Sequence, residues 1–215
     1  MNPSVVAQKV VAPIRDDREV ILRTVIAPLR DEEVVDVLRF GQRDFQEALV
    51  NLGTSQQVGL FSHWKRKTPT VRGDSLIIEQ ESGDEPPYQR AVVEIDSRGV
   101  LVVDSNVTGR TVDKKHAWVS LMQIVESDVE AALAEHFGFA HALYEHVDPY
   151  QRQYAFGYNC ALHGAGYHRL VRHPHSGGSI SLPMRENEPV VVYGEARRIG
   201  RAVLGAPTEE ITRVI

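Results

Sequence analysis

Histidine is the residue type best placed to do chemistry in this chain, and it concentrates between His116 and His175. The tightest group is His163, His168, His173 and His175. A neutral imidazole is a good zinc ligand, and catalytic zinc sites commonly use three protein ligands. The spacing does not force these four to converge. His163 and His168 flank a Gly-Ala-Gly turn, His173 and His175 flank Pro174, and neither His-Glu-x-x-His nor Cys-x-x-Cys occurs. A metal-dependent hydrolase built on this group is therefore the alternative reading. No catalytic residue, metal ligand or cofactor is assigned.

Cys160 with the nearby His163 is the other pairing that suggests covalent chemistry. On a strand, residues three apart point to opposite faces, so the two do not meet. Cys160 falls on the large apolar face of its strand, which predicts a buried structural thiol. Gly-x-Ser-x-Gly is absent, and no acidic pair has a spacing that demands acid–base work. The glycines Gly157, Gly164 and Gly166 close a hairpin where a dinucleotide fingerprint would open a helix.

Charge offers binding rather than catalysis. In His63-Trp64-Lys65-Arg66-Lys67 a tryptophan beside three cations has the makings of a nucleic-acid contact, the ring stacking on a base and the cations meeting phosphates. The net charge of −5 and pI near 6.0 argue against a general nucleic-acid coat, so this cluster is a second alternative. Anionic lipid or an acidic protein would suit the same residues. Arg197, Arg198 and Arg201 make a further anion-binding possibility or a solvated face. The loop His173 to Ser179 has glycines that free its N–H groups for an anion, without a P-loop pattern.

The element that must position most of these residues is a long helix followed by a strand. Val129, Ala132, Leu133, Phe137, Ala140, Leu143, Tyr144 and Val147 recur at three- and four-residue spacing, which predicts an amphipathic helix over about 127–147. Ser127-Asp128-Val129-Glu130 has the capping-box pattern for its start, and Asp148-Pro149 ends it. His136 falls inside the apolar stripe and reads as a neutral, hydrogen-bonded core histidine, with a pH-sensing group as the sharper option. From Arg152 the period changes to two. Arg152, Tyr154, Phe156, Tyr158, Cys160 and Leu162 point one way; Gln153, Ala155, Gly157, Asn159 and Ala161 point the other. The large face is expected on the helix. The small face is expected to leave a groove around Gly157 and Asn159. After Gly164-Ala165-Gly166, residues Tyr167 to Arg172 are expected to return as an antiparallel strand.

The run Phe139-Ala140-His141-Ala142-Leu143-Tyr144-Glu145-His146-Val147-Asp148-Pro149, followed by Ala161-Leu162-His163-Gly164-Ala165-Gly166-Tyr167, resembles the C-terminal region of actinobacterial proteins that carry an N-terminal Schlafen/AlbA-type DNA-binding module. The resemblance covers about a third of the chain, and the module itself is not recognisable in it. What it implies is a regulatory or ligand-sensing role in a bacterial protein. It carries over no site residues.

The remaining chain supplies the rest of an α+β fold. Met1 to Asp17 reads as an extended arm or a leading edge strand, and Glu19 to Leu29 as a strand. Asp31-Glu32-Glu33 opens a smaller N-terminal helix with Val34, Leu38, Phe45, Leu49 and Leu52 as its stripe, broken at Gly41 and ending at Asn51 or Gly53. Thr54 to Gly73 is the least regular stretch. Asp74 to Gln80, Arg90 to Ile95 and Val100 to Val103 read as a three-stranded meander turned at Asp96-Ser97-Arg98-Gly99, its second hairpin central. Ala117 to Val125 fits either a strand or a helical turn. Pro189 to Tyr193 is a strand, and Thr208-Glu209-Glu210 starts a last helix running to an apolar end, which suggests a module of a longer protein or a docked tail.

The expected fold class is therefore α+β: a mostly antiparallel sheet with the long helix packed on it and a smaller N-terminal helix. With 215 residues, 42% of them hydrophobic, one domain 1–215 can bury a full core; a subdivision into 1–73 and 74–215 is the other option. A lone cysteine and the lack of a signal peptide point to the cytoplasm, and no apolar run is long enough to span a bilayer. The function expected is a non-enzymatic regulatory, ligand-sensing or protein-interaction domain. Its candidate contacts are Trp64, Arg152, Tyr158, His163, Tyr167 and His168. Its partners would be a protein or a second copy of itself, with a small-molecule ligand possible and nucleic acid less favoured.

Overall fold

A computed structural model of the chain describes residues 3–14, 20–55, 58–61, 65–66, 68–81, 90–107, 123–164, 169–171, 179–180, 190–192 and 194–206. The fold is α+β, as the sequence pattern leads one to expect. Its frame is an antiparallel sheet built from β1 (Ile21–Pro28), β2 (Lys65–Arg66), β3 (Thr70–Arg72), β4 (Ser75–Glu81), β5 (Arg90–Asp96), β6 (Leu101–Asn106), β8 (Ala155–His163), β11 (Val190–Val192) and β12 (Arg197–Gly200). The order is β11-β8-β1-β6-β5-β4-β2, with β12 also on β8 and β3 also on β4. β7 (Gln123–Val125), β9 (Arg169–Val171) and β10 (Ser179–Ile180) form a second, three-stranded sheet in which β7 and β9 run parallel.

Period-two alternation gives the main sheet two unlike faces. Leu22, Thr24 and Ile26 of β1, Val93 and Ile95 of β5, Leu101 and Val103 of β6, and Phe156, Tyr158, Cys160 and Leu162 of β8 face the long helix α4 (Glu126–Val147). At 1.5 Å per residue its 22 residues span about 33 Å, enough to cross the whole sheet. Phe137 meets Tyr158 edge-on with centroids 5.4 Å apart, and Tyr144 lies 4.4 Å from Phe156 while its hydroxyl donates to the Gly99 carbonyl at 2.7 Å. His136 is fully buried, with Ser105 Oγ 2.8 Å from Nε2 and Thr24 Oγ1 2.8 Å from Nδ1. This is the core histidine that its place in the stripe suggests.

α3 (Arg43–Thr54) packs beside α4, and α2 (Val37–Phe40) lies on α3 and β4. The two are separated at Gly41, the break expected in the N-terminal helix. The helix opens later than Asp31-Glu32-Glu33 suggests, at Val37, where the Asp36 carboxylate caps it by accepting from the Leu38 N–H at 2.9 Å. Leu38 does not join their buried stripe; it is 78% exposed, because α2 is a single turn whose Phe40 takes the core position. Asp96 to Gly99 turns the β5–β6 hairpin with Gly99 at φ +77°, and β1, inserted between β6 and β8, makes that hairpin internal to the sheet. No helix among the described residues is long and apolar enough to cross a membrane.

Several local expectations are corrected. Residues Pro3–Val10 form α1, a helix where an arm or edge strand was expected. Proline is at home at a first helical position, and Val6 and Val10 stand one turn apart, so the segment supports a short amphipathic helix. The long helix starts at Glu126 with Val125 at its N-cap and no side-chain cap bond, because β7 runs straight into it; Ser127 is already helical. β8 begins at Ala155, three residues later than its alternation suggests. The Asp148 carboxylate holds the turn before it, accepting from the N–H of Arg152 at 3.1 Å and of Gln153 at 2.8 Å. Arg169–Val171 does not return along β8 but joins the small sheet. Ala117 to Met122 and Thr208 to Ile215 lie outside the described residues.

Candidate functional site

The second face of the main sheet carries the candidate site. α1 covers one half of it, seating Val6 and Val10 on Val25, Ala27, Val100, Val102 and Ala161. This fills much of the groove expected around Gly157 and Asn159: a Cβ at Gly157 would lie 3.7 Å from Val6 and 3.6 Å from Leu29. What remains there is a shallow, mainly apolar groove between α1 and residues 194–196, into which the Asn159 amide donates to the Gly194 carbonyl at 3.4 Å.

The other half of the face is open, and there β1, β6, β5, β4 and β3 floor a more enclosed cavity of about 380 Å³. Register builds it. Arg23 stands opposite Asp104, Asp104 opposite Val92, and Val92 opposite Glu79, so one row across four strands reads base, acid, apolar, acid. Glu94 and Arg90 lie on either side of Val92 along β5, and Ile77 faces Glu94 across the β4–β5 pair. Thr70 and Arg72 of β3 form one wall, and Pro13 and Ile14, just beyond α1, form another.

Five of the six charged groups are held in place by ion pairs; Arg72 is the exception among the described residues. Arg23 makes a two-point ion pair with Asp104, Nε to Oδ1 at 2.7 Å and Nη2 to Oδ2 at 2.6 Å, and its Nη1 donates to the Ala12 carbonyl at 2.7 Å and the Lys9 carbonyl at 3.3 Å. Arg90 pairs with Glu79 at 2.9 Å. Lys9 of α1 reaches back to Glu94 at 3.5 Å and Asp96 at 3.8 Å. The described lining holds three arginines, three carboxylates, two threonines and an apolar floor, with no histidine, cysteine or serine.

Of the residues that the sequence singles out, the described ones, Arg152, Tyr158 and His163, do not share one site. Trp64, Tyr167, His168, His173 and His175 lie outside the described residues. Arg152 is exposed in the turn after α4, with Nε 3.5 Å from Asp148. Tyr158 is 1% exposed beneath α4 and meets no solvent. His163 is on the opposite face of β8, buried, with Nε2 2.8 Å from the Val10 carbonyl, so its ring caps the end of α1. Burial pushes its pKa down; the Val10 carbonyl raises it, Arg23 lowers it and Asp104 raises it, for a net decrease. No group of three or more possible metal ligands converges among the described residues.

Cys160 has the buried structural setting expected of it. Burial pushes its thiol up to about 12, against smaller opposing effects of the Thr24 hydroxyl and Arg197. Arg201, read as part of an anion-binding cluster, is turned inward. It donates to Asp148 Oδ2 at 2.9 Å, to the Asp148 carbonyl at 3.0 Å and to the Tyr144 carbonyl at 2.7 Å, closing the C-terminal end of α4.

The cavity residues Arg23, Glu79, Arg90, Glu94 and Asp104 were missed by sequence reasoning. Their signal is the polar half of each alternating strand, as in Arg90, Val92 and Glu94 of β5. The apolar half of each strand carries the core signal, whereas a polar half reads equally as a solvated face. Comparison with protein-family models, with curated proteins and with solved structures finds no match.

Proposed function

We propose that this chain is a non-enzymatic binding domain that takes a small molecule in the cavity on the open sheet face. The observation that carries this reading is the convergence of six charges, five of them held by ion pairs, around an apolar floor in a space of about 380 Å³. That volume lies within the range of small-ligand sites, and polar groups already immobilised by the fold lose little freedom on binding. A sensing role is supported by Arg23, which faces the cavity and also holds the end of α1. Occupancy of the cavity thereby has a direct route to the position of α1. The domain is proposed to act in the cytoplasm. A protein partner finds support in the exposed Tyr150, Tyr154 and Leu38, at 88%, 57% and 78% exposure. The hydrolase alternative is less favoured because the one described member of its histidine group, His163, is engaged in capping α1.

The test is native mass spectrometry on untagged protein from cells, for the natural sequence and for Val92→Trp, which fills the cavity floor from a half-buried position. The expected result is a small molecule on the first and none on the second, both folded. Two bare chains, or equal loading of both, would sink the reading.

A further inference from the structure

The charges around the cavity are unequally compensated. Asp104 takes Arg23 in a two-point pair and Glu79 takes Arg90. Arg72, exposed on the short strand β3, makes no ion pair with any of the described residues. Glu94 has only a share of Lys9, which also reaches Asp96 and can stay there when Glu94 is engaged elsewhere. One cation and one anion are thus available to a ligand, while the other four charges neutralise one another.

Balance restricts the class of ligand. A nucleotide or other polyanion would meet three carboxylates, and a polyamine three guanidinium groups, each at a cost of like-charge approach. A molecule with one charge of each sign matches the lining. Glu94 faces Ile77 across one strand pair and Ile77 faces Thr70 across the next, with Arg72 two residues along. Strand spacing and rise put the Cα atoms of Glu94 and Arg72 about 12 Å apart, a gap that their long side chains narrow to the span of a small dipolar molecule. Ile77 and Val92 lie between them as an apolar bed.

We propose that the cavity binds a small zwitterion of the amino-acid class, its carboxylate on Arg72 and the Thr70 hydroxyl, its ammonium on Glu94 and its apolar part over Ile77 and Val92. This rests on the small-molecule reading above and narrows it.

The experiment is isothermal titration of the untagged full chain with the proteinogenic L-amino acids, then with the N-acetyl and methyl-ester forms of each binder. At least one free amino acid is expected to bind, and blocking either end is expected to weaken it on the order of tenfold, the scale of a lost charge-assisted hydrogen bond. Glu94→Gln is expected to weaken the free acid by a similar factor and to leave the residual binding of the N-acetyl form unchanged. Arg72→Gln is expected to do the same with respect to the methyl ester. Both side chains lie at the surface of the sheet, so the variants fold. Failure of every amino acid to bind, or equal binding of free and blocked forms, overturns the proposal. If mass spectrometry meanwhile finds a ligand of another class that Val92→Trp excludes, the zwitterion falls and the small-molecule reading stands; if it finds none, both fall.

Discussion

Arg23 and Asp104 grip each other at 2.7 and 2.6 Å across the β1–β6 pair, and the remaining amino group of the same guanidinium donates to the Lys9 carbonyl at the end of α1 and to the Ala12 carbonyl just beyond it. One side chain therefore ties the cavity to the N-terminal helix. Asp104→Asn keeps the shape and removes the charge that orients Arg23. Docking of α1 is expected to weaken by about 1.5–3 kcal/mol, the range for a hydrogen bond to a charged group. Hydrogen exchange would show faster amides in Pro3–Val10 and unchanged protection in Glu126–Val147. Equal exchange in α1 would mean that its apolar contacts alone hold it.

Arg201 is the lock on the other side of the sheet. Its side chain is 9% exposed and its partner Asp148 is 1% exposed, and it satisfies carbonyls of Tyr144, Asp148 and Gln153 as well. Removing one member of such a pair leaves the other charge buried. Arg201→Met is expected to cost about 3–5 kcal/mol of stability in urea unfolding. A loss below about 1 kcal/mol would show the pair to be no stronger than a surface one. For Asp148 itself, burial pushes the pKa up, but the N–H groups of Gln153 and Arg152 and the Arg201 guanidinium outweigh it and hold the carboxyl below its ordinary value. Its contribution to stability is present above the ordinary carboxylate pKa and is lost as pH falls through the lowered one.

The His163 cap titrates in the opposite sense. Because burial lowers its pKa below the ordinary 6.5, the native state prefers the neutral ring. As pH falls below 6.5 the unfolded chain binds a proton first, so stability is lost toward acid and is complete above neutrality. His163→Gln keeps a donor for the Val10 carbonyl and does not titrate. Its stability is expected to fall less than that of the natural chain between pH 7 and 5, measured by urea midpoints at each pH. Parallel curves would assign the acid sensitivity to other groups, His146 among them, whose pKa burial and Arg39 also lower.

Cys160 sits against Thr24 in the core, with its thiol pushed up to about 12. A thiol of that kind is neither ionised nor reachable at neutral pH. Ellman's reagent is expected to label the native chain only at the rate of global unfolding, and to label it at once in denaturant. Rapid labelling of the folded protein would place Cys160 in a mobile region.

Much of this architecture is written locally. The apolar stripe of 129–147 specifies the long helix and its buried face, because a 3.6-residue repeat can satisfy only one surface. The alternation from Phe156 to Leu162 specifies which side of β8 lies under it, and a glycine at φ +77° specifies the β5–β6 turn. His136 and Cys160 follow from the same patterns, since a polar residue on a buried stripe must find partners there.

Three things could be decided only by the folded chain, and each depends on residues far apart in sequence. That α1 is a helix depends on the apolar patch of β1, β6 and β8 on which it lies, since eight residues make only a marginal helix alone. That Arg201 is buried depends on α4 ending beside β12, which turns a surface-looking arginine into a helix cap. The candidate site depends on strand order: Arg23 meets Asp104, and Val92 lies between Asp104 and Glu79, only because β1, β6, β5 and β4 are neighbours in this register. The faces of each element follow from the residue pattern, because side-chain periodicity is a local property of the backbone. Which faces meet and which stays open is set only on folding, because pairing across a sheet joins segments that no local pattern connects.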